Sequence, residues 1–316
     1  MGPLEVRLGF LLAPAKQLCV PYDHVLRARR RRSVVAVFAL LGALLITGAR
    51  VPAAVASAAP TYLALGDSLA YGMQIGKLKT EIAEHRVSAQ SFDTGYVDVL
   101  AAKLRDVTPD LAVVDLGCPG ETSASFLGGP CAFATSGKPF GTTPLPLHVP
   151  YAGSQMDAAL HFLATHPEVT TITIDLGIND VRSVELNCAN DVDFTRCTND
   201  GWNVARVQTA SNLRDIVQRL HAAAPAATLV ALGYYDWLAV EAPSTDRLVT
   251  DLNATIASAT ASAGVRFTDP YRAFERTGDL RARLCDLTLY CSPSRDLHPS
   301  DAGYRTLADL LAAALQ

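Results

Sequence analysis

Five apolar, β-rich runs recur along the chain, at Tyr62–Leu65, Leu111–Leu116, Val169–Leu176, Thr228–Gly233 and Val265–Thr268. Between them the apolar positions repeat at helical spacing, over Tyr96–Arg105, Gln155–Thr165, Val204–Ala223 and Asp246–Ala263; Ala302–Leu315 closes the chain in the same way. Strands alternating with helices of this length predict βαβ units and a parallel sheet. The strand runs are continuous rather than alternating, as in strands buried on both faces. The predicted fold class is therefore α/β, a three-layer α/β/α sandwich around a central parallel sheet. Pro, Gly and Ser cluster at 128–153, but strand and helix patterns resume on either side, so the stretch reads as a long loop and not as a linker. A second long loop is expected over 182–203. With no internal repeat, residues 59–316 read as one domain.

Composition adds little to this picture, whereas charge changes it. At 316 residues, 49% hydrophobic and 18% charged, the chain is neither disordered nor fibrous. Residues 1–58 carry eight Lys/Arg and two Asp/Glu, leaving 19 basic against 29 acidic residues in the remainder. An acidic body argues against nucleic-acid binding. The basic end has its own pattern. Arg29 to Arg32 precede 17 uncharged residues, Ser33 to Ala49, and small residues follow at Ala54 to Ala59. A basic n-region, an apolar h-region and an A-x-A site make up a secretory signal, so residues 1–58 are expected to be removed near Ala58. The competing expectation is an uncut membrane anchor, for which the apolar run is short. Residues 1–24 are long for an n-region, which fits an initiation site at Val20, Val25 or Leu26 instead. The expected location is extracellular.

Six cysteines remain beyond the expected cleavage point: Cys118, Cys131, Cys188, Cys197, Cys285 and Cys291. An even number in an exported chain predicts disulfides. They fall into three near pairs, which favours 118–131, 188–197 and 285–291, each within one loop. No C-x-x-C or H-E-x-x-H occurs, so no metal site is expected.

In parallel α/β sheets ligands bind at the carboxyl ends of the strands. Four loops there carry candidate chemistry. The first strand runs into Gly66-Asp67-Ser68-Leu69, placing a serine at the sheet edge. The second is followed by Cys118-Pro119-Gly120-Glu121, where a glycine offers an open backbone N–H. The third leads into Gly177-Ile178-Asn179-Asp180, and an Asn carboxamide can donate to a developing oxyanion. Last comes Arg295-Asp296-Leu297-His298-Pro299, just before the final helix, with a histidine able to serve as general base. Read singly, each is a turn or cap residue. No G-x-S-x-G elbow or phosphate-binding glycine loop competes with them.

Taken together and in this order, the four blocks resemble those of the GDSL-type (SGNH) hydrolases, named for Ser, Gly, Asn and His. The resemblance spans 61–316 and extends to the secreted actinobacterial lipases and esterases, with the stretch from Leu116 to Phe126 looking lysophospholipase-like. It implies that Ser68 is the nucleophile and His298 the base, and that the Ser68 N–H, Gly120 N–H and Asn179 side chain form an oxyanion hole. No cofactor is implied. The third triad member is open. The family spaces it Asp-x-x-His, and here Arg295 occupies that position. Either Asp296 reaches the imidazole, or a backbone carbonyl near Arg295 does. Asp67 and Asp180 are expected to support the loops, and the Cys285–Cys291 pair to brace His298.

The implied function is a secreted serine esterase or lipase acting on acyl-lipid or lysophospholipid esters, monomeric, meeting membranes only through its signal or substrate. A carbohydrate O-acetyl esterase is the alternative, with Tyr234, Tyr235 and Trp237 available to stack on sugars. A non-catalytic binding domain is the third reading. Phe133, Phe140, Pro144, Leu145, Pro146 and Leu147 offer apolar surface for an acyl chain.

Overall fold

The computed structural model describes residues 58–316, apart from 242–244 and 276–277. The predicted signal segment therefore lies outside the described residues, save for Ala58.

Strands β1 (Thr61–Gly66), β2 (Ala112–Asp115), β3 (Val169–Asp175), β4 (Thr228–Leu232) and β5 (Arg266–Thr268) form one parallel sheet in the order β2-β1-β3-β4-β5. The connection β1–α2–β2, with α2 at Tyr96–Arg105, steps in one direction. The later connections carry α5 (Gln155–Thr165), α7 (Phe194–Ala223) and α8 (Asp246–Ala261), and they step in the other. Right-handed crossovers place helices of opposite step on opposite faces. Accordingly α2 packs on α11 (Asp301–Leu315), while α7 packs on both α5 and α8. The order reverses at β1, so the crevice between the ends of β1 and β3 is the expected ligand position.

Burial on both faces is why the strands are continuous apolar runs. Tyr62, Leu63, Ala64 and Leu65 are wholly buried, as are Ile172 and Val230 on the neighbouring strands. The final helix seals this core through Tyr304, Leu307, Ala308 and Leu311, spaced three or four apart. Its start is fixed by Ser300, whose side chain accepts from the Gly303 N–H.

Helices α1 (Ile75–Ala83), α6 (Ile178–Cys188) and α10 (Leu280–Leu287) were not among the predicted elements. Each shows a narrow apolar face; α1 buries only Leu78 and Glu81, and α10 only Leu284 and Leu287. Shorter helices α3 (Ser123–Gly128), α4 (Ala132–Ser136) and α9 (Tyr271–Phe274) lie in the connections.

The expected loop over 182–203 is not one. Helix α6 runs to Cys188 and α7 starts at Phe194, ten residues before its predicted start. The early turns of α7 bury little beyond Thr198 and Trp202, so they carry no amphipathic signal. They are held instead by the Asp193 cap on the Arg196 N–H and by the Cys188–Cys197 disulfide. The cysteine pairs, 118–131, 188–197 and 285–291, thus join helix ends and turns rather than lying within single loops. Among the described residues no helix is long and apolar enough to cross a membrane.

Candidate active site

Ser68 and His298 lie 230 positions apart in sequence, and the sheet brings them together. His298 Nε2 is 2.9 Å from Ser68 Oγ. On the other side of the ring, Nδ1 is 2.6 Å from Asp296 Oδ1. That oxygen also accepts the His298 N–H at 3.0 Å, while Oδ2 accepts the Ile75 N–H at 2.5 Å. Burial pushes the Asp296 carboxyl up, but the hydrogen bonds and charge of His298, with the Ile75 N–H, outweigh it and hold the group below the ordinary carboxylate range. An ionised Asp296 can only accept, so Nδ1 carries the ring proton and Nε2 offers its lone pair to the hydroxyl.

The departure from Asp-x-x-His is absorbed by Arg295. This residue has φ +50°, and its guanidinium lies over the Tyr290 ring and pairs with Glu241. The turn at 295 lets a carboxylate only two residues away reach the imidazole. Between the two candidates for Nδ1, the structure places the carboxylate there. The loop is clasped from behind. Leu289 N–H donates to His298 O at 2.9 Å, Ser300 N–H to Leu287 O at 3.0 Å, and Tyr235 Oη–H to Leu297 O at 2.8 Å.

Three further groups face the same cleft as Ser68 and His298. Gly120 sits at φ +83°, and a Cβ there would lie 2.8 Å from Pro139 Cδ. Its N–H, like that of Ser68, donates to no protein acceptor among the described residues. Asn179 stands in the first turn of α6, with Nδ2 donating to Glu121 O at 2.9 Å and to Asp67 Oδ2 at 3.2 Å. Thus the loops after β1, β2 and β3 converge on the hydroxyl. The sequence matches the GDSL-like lipase/acylhydrolase family over residues 64–306, a span that includes all of these groups. The chain belongs to this family. Membership makes it an ester-hydrolysing enzyme.

Solved structures share the fold. A lipase from a goat rumen metagenome matches with 17% identity and a TM-score of 0.53, over 81% of this chain and 97% of that one. An extracellular lipase from Streptomyces rimosus matches with 18% identity and a TM-score of 0.53, over 81% and 100%. No curated protein matches the sequence.

The Gly-Asp of the family's first block has a physical role in this chain. Gly66 takes φ +138°, and a Cβ there would sit 2.3 Å from Asp175 O, so no other residue fits. Asp67 is wholly buried and accepts from the Leu69 N–H at 2.9 Å, the Tyr234 hydroxyl at 2.8 Å and Asn179. Beside it lies Asp175, also wholly buried, which accepts the Tyr96 hydroxyl at 2.5 Å and the Asp67 N–H at 3.1 Å. Burial and the Asp67 charge drive the Asp175 carboxyl well up, and burial raises Asp67 too, against the hydrogen bonds it receives.

Sequence reasoning assigned no role to Asp175 or to Gln155. Asp175 is a charge ending a buried strand, a signal open to reading. Gln155 carried none, because it opens an ordinary helix. It is wholly buried. Its neighbour Glu121 is pushed up to about 7 by burial, with Asp67 and Asp180 adding to the shift against hydrogen bonds from Ser125 and Gln155. Asp180, expected to support its loop, ties α6 to α3 by accepting from the Ser123 N–H at 2.9 Å and the Ser123 hydroxyl at 2.6 Å.

A cleft of about 470 Å³ opens over Ser68, with Ile75, Phe140, Ile178, Leu186 and Trp237 in its walls. Of the apolar residues in the 128–153 loop, Phe140 lines it, whereas Phe133, Leu145 and Leu147 pack on Tyr71 and Phe92 in a separate small core. Tyr234 and Tyr235 are not free to stack on a sugar. Both are 2% exposed, with their hydroxyls committed to Asp67 and Leu297 O. Only Trp237 of the three aromatics reaches the cleft.

Proposed function

We propose that the protein is a secreted serine esterase that cleaves carboxylic esters of acyl chains through an acyl-enzyme. The observation that carries this is the unbroken relay Asp296–His298–Ser68 beneath an apolar cleft. In the first half-reaction His298 Nε2 takes the Ser68 proton as Oγ attacks the ester carbonyl carbon. The new imidazolium is stabilised by the ionised Asp296. The carbonyl oxygen, now an oxyanion, receives the two unpartnered N–H groups of Ser68 and Gly120 together with Asn179 Nδ2. At Asn179 the longer of the two resting contacts, that to Asp67, is the one the oxyanion displaces. His298 then protonates the leaving alcohol, and the tetrahedral adduct collapses to the acyl-serine. Water repeats the sequence with His298 again as base, releasing the acid.

Export is supported by the signal-like segment, the three disulfides and the extracellular Streptomyces rimosus lipase that shares the fold. An acyl chain suits the Ile75, Phe140, Ile178 and Leu186 walls better than a sugar does, given the burial of Tyr234 and Tyr235. The test is the initial rate on p-nitrophenyl esters from acetyl to palmitoyl, wild type beside Ser68→Ala. Acyl-ester hydrolysis that vanishes in the variant is expected. Activity confined to the acetyl ester would overturn the acyl-chain assignment, and activity surviving in Ser68→Ala would overturn the mechanism.

A further inference from the structure

Phe140 belongs to the walls of two cavities at once. It lines the catalytic cleft, where its ring centroid is 6.3 Å from that of His298. It also lines a second groove of about 630 Å³ that has no part in the mechanism above. Ile82, Val87, Pro144, Leu145 and Pro146 form the rest of that groove's apolar surface, and His85 is its only ionisable lining residue. Ile82 is 41% exposed, a large aliphatic side chain left in water on the α1 surface. Phe140 itself is steadied by an edge contact to the buried Phe133, at 6.0 Å between centroids.

The groove meets the reaction cleft at one aromatic ring, and its wall is mostly apolar, with Thr142, Thr143 and His85 as its polar members, which suits an unbranched hydrocarbon. It holds no Lys, Arg, Asp or Glu. The catalytic cleft differs, because Lys138 and Arg182 stand in its wall. A charged part of a substrate therefore has partners in the cleft, whereas the groove offers mostly apolar wall to its hydrocarbon.

We propose that the groove between Ile82 and Pro144–Pro146 is a distal acyl-chain site, reached from Ser68 across Phe140, that selects long-chain esters. The proposal rests on the esterase reading. A short acyl chain ends within the catalytic cleft and does not sense the groove. A long one crosses Phe140 and buries its terminal methylenes there, which raises the logarithm of kcat/KM in proportion to the apolar surface removed from water.

The experiment compares kcat/KM for p-nitrophenyl butyrate and p-nitrophenyl laurate, both as clear detergent-free solutions, in wild type, Ile82→Asp and Gly141→Trp. Ile82 is exposed enough to accept a charge, and a Cβ at Gly141, also in the groove wall, would meet nothing within 4 Å. Each variant should lower the laurate value at least tenfold and leave the butyrate value within twofold. Retained butyrate hydrolysis also reports an intact fold and catalytic centre. Equal effects on both esters, or no effect on either, would overturn the distal site while leaving the esterase reading in place. A wild-type protein inactive on both esters would overturn the two together.

Discussion

Gln155 pairs with Gly66 through both ends of its carboxamide. Its Oε1 accepts the Gly66 N–H at 2.7 Å, and its Nε2 donates to Gly66 O at 2.9 Å. The side chain thereby completes the hydrogen bonding of the residue at which β1 turns toward Ser68. Replacing it with Leu strands the buried Gly66 N–H, whereas Gly66 O keeps the Cys118 N–H at 3.0 Å. We expect Gln155→Leu to lose about 1–3 kcal/mol, the cost of leaving one buried group unpaired. Urea unfolding checks this. A loss below about 0.5 kcal/mol, no more than an ordinary surface substitution, would mean the clamp contributes nothing.

The carboxylate on His298 makes a sharper prediction. If ionised Asp296 holds the ring tautomer, Asp296→Asn should cut kcat by about 10³–10⁴, the scale for a mis-set triad histidine. Arg295→Ala removes only exposed contacts to Glu241 and Tyr290, and should stay within a fewfold of wild type. Steady-state rates on one ester suffice. A mild Asp296→Asn effect would return the role to a backbone carbonyl.

Much of this is legible in the amino-acid sequence. The continuous apolar strands gave the parallel sheet, and the order of Ser68, Gly120, Asn179 and His298 along it gave the cleft. What escaped has one physical cause. Tertiary hydrogen bonds join residues far apart in sequence, and periodicity is blind to them. Gln155 and Asp175 both belong to that class, at 89 and 108 positions from their partners Gly66 and Asp67. The helical character of 194–203 escaped for a related reason. A cap and a disulfide hold it, and neither produces an apolar stripe.

Glu121 links the site to pH. Its carboxyl is held at about 7 in the folded protein, chiefly by burial, against an ordinary value near 4.5. The folded state thus binds a proton that the unfolded chain has released. Its contribution is complete below the ordinary value and is lost as pH rises through about 7. Stability should fall between about pH 5 and 7, by at most about 1.4 kcal/mol per pH unit from this one group. Asp115, also raised to about 7 by burial, adds in the same direction. Glu121→Gln should flatten part of that slope. Melting temperatures of the two proteins across pH 5–8 test it, and parallel curves would contradict the assignment.

The Cys285–Cys291 disulfide sits behind the histidine loop, since residues 287 and 289 between its cysteines bond the backbone at 300 and 298. Replacing both cysteines by Ser should cost about 2 kcal/mol in the chain-entropy picture. It should also lower kcat roughly three- to tenfold, because loosening the loop costs orientation of the base. Rates on a short ester, measured with the fold verified by circular dichroism, decide this. An unchanged kcat would refute the bracing role.

The central claim is that Ser68, activated by His298, is the nucleophile. Stoichiometric labelling by a fluorophosphonate, followed by peptide mass mapping, tests it most directly. The account predicts one adduct per chain, on Ser68, lost in Ser68→Ala and formed at least 10²-fold more slowly in His298→Ala, the scale of general-base catalysis. An adduct on another residue, or ester hydrolysis that persists in Ser68→Ala, would contradict it.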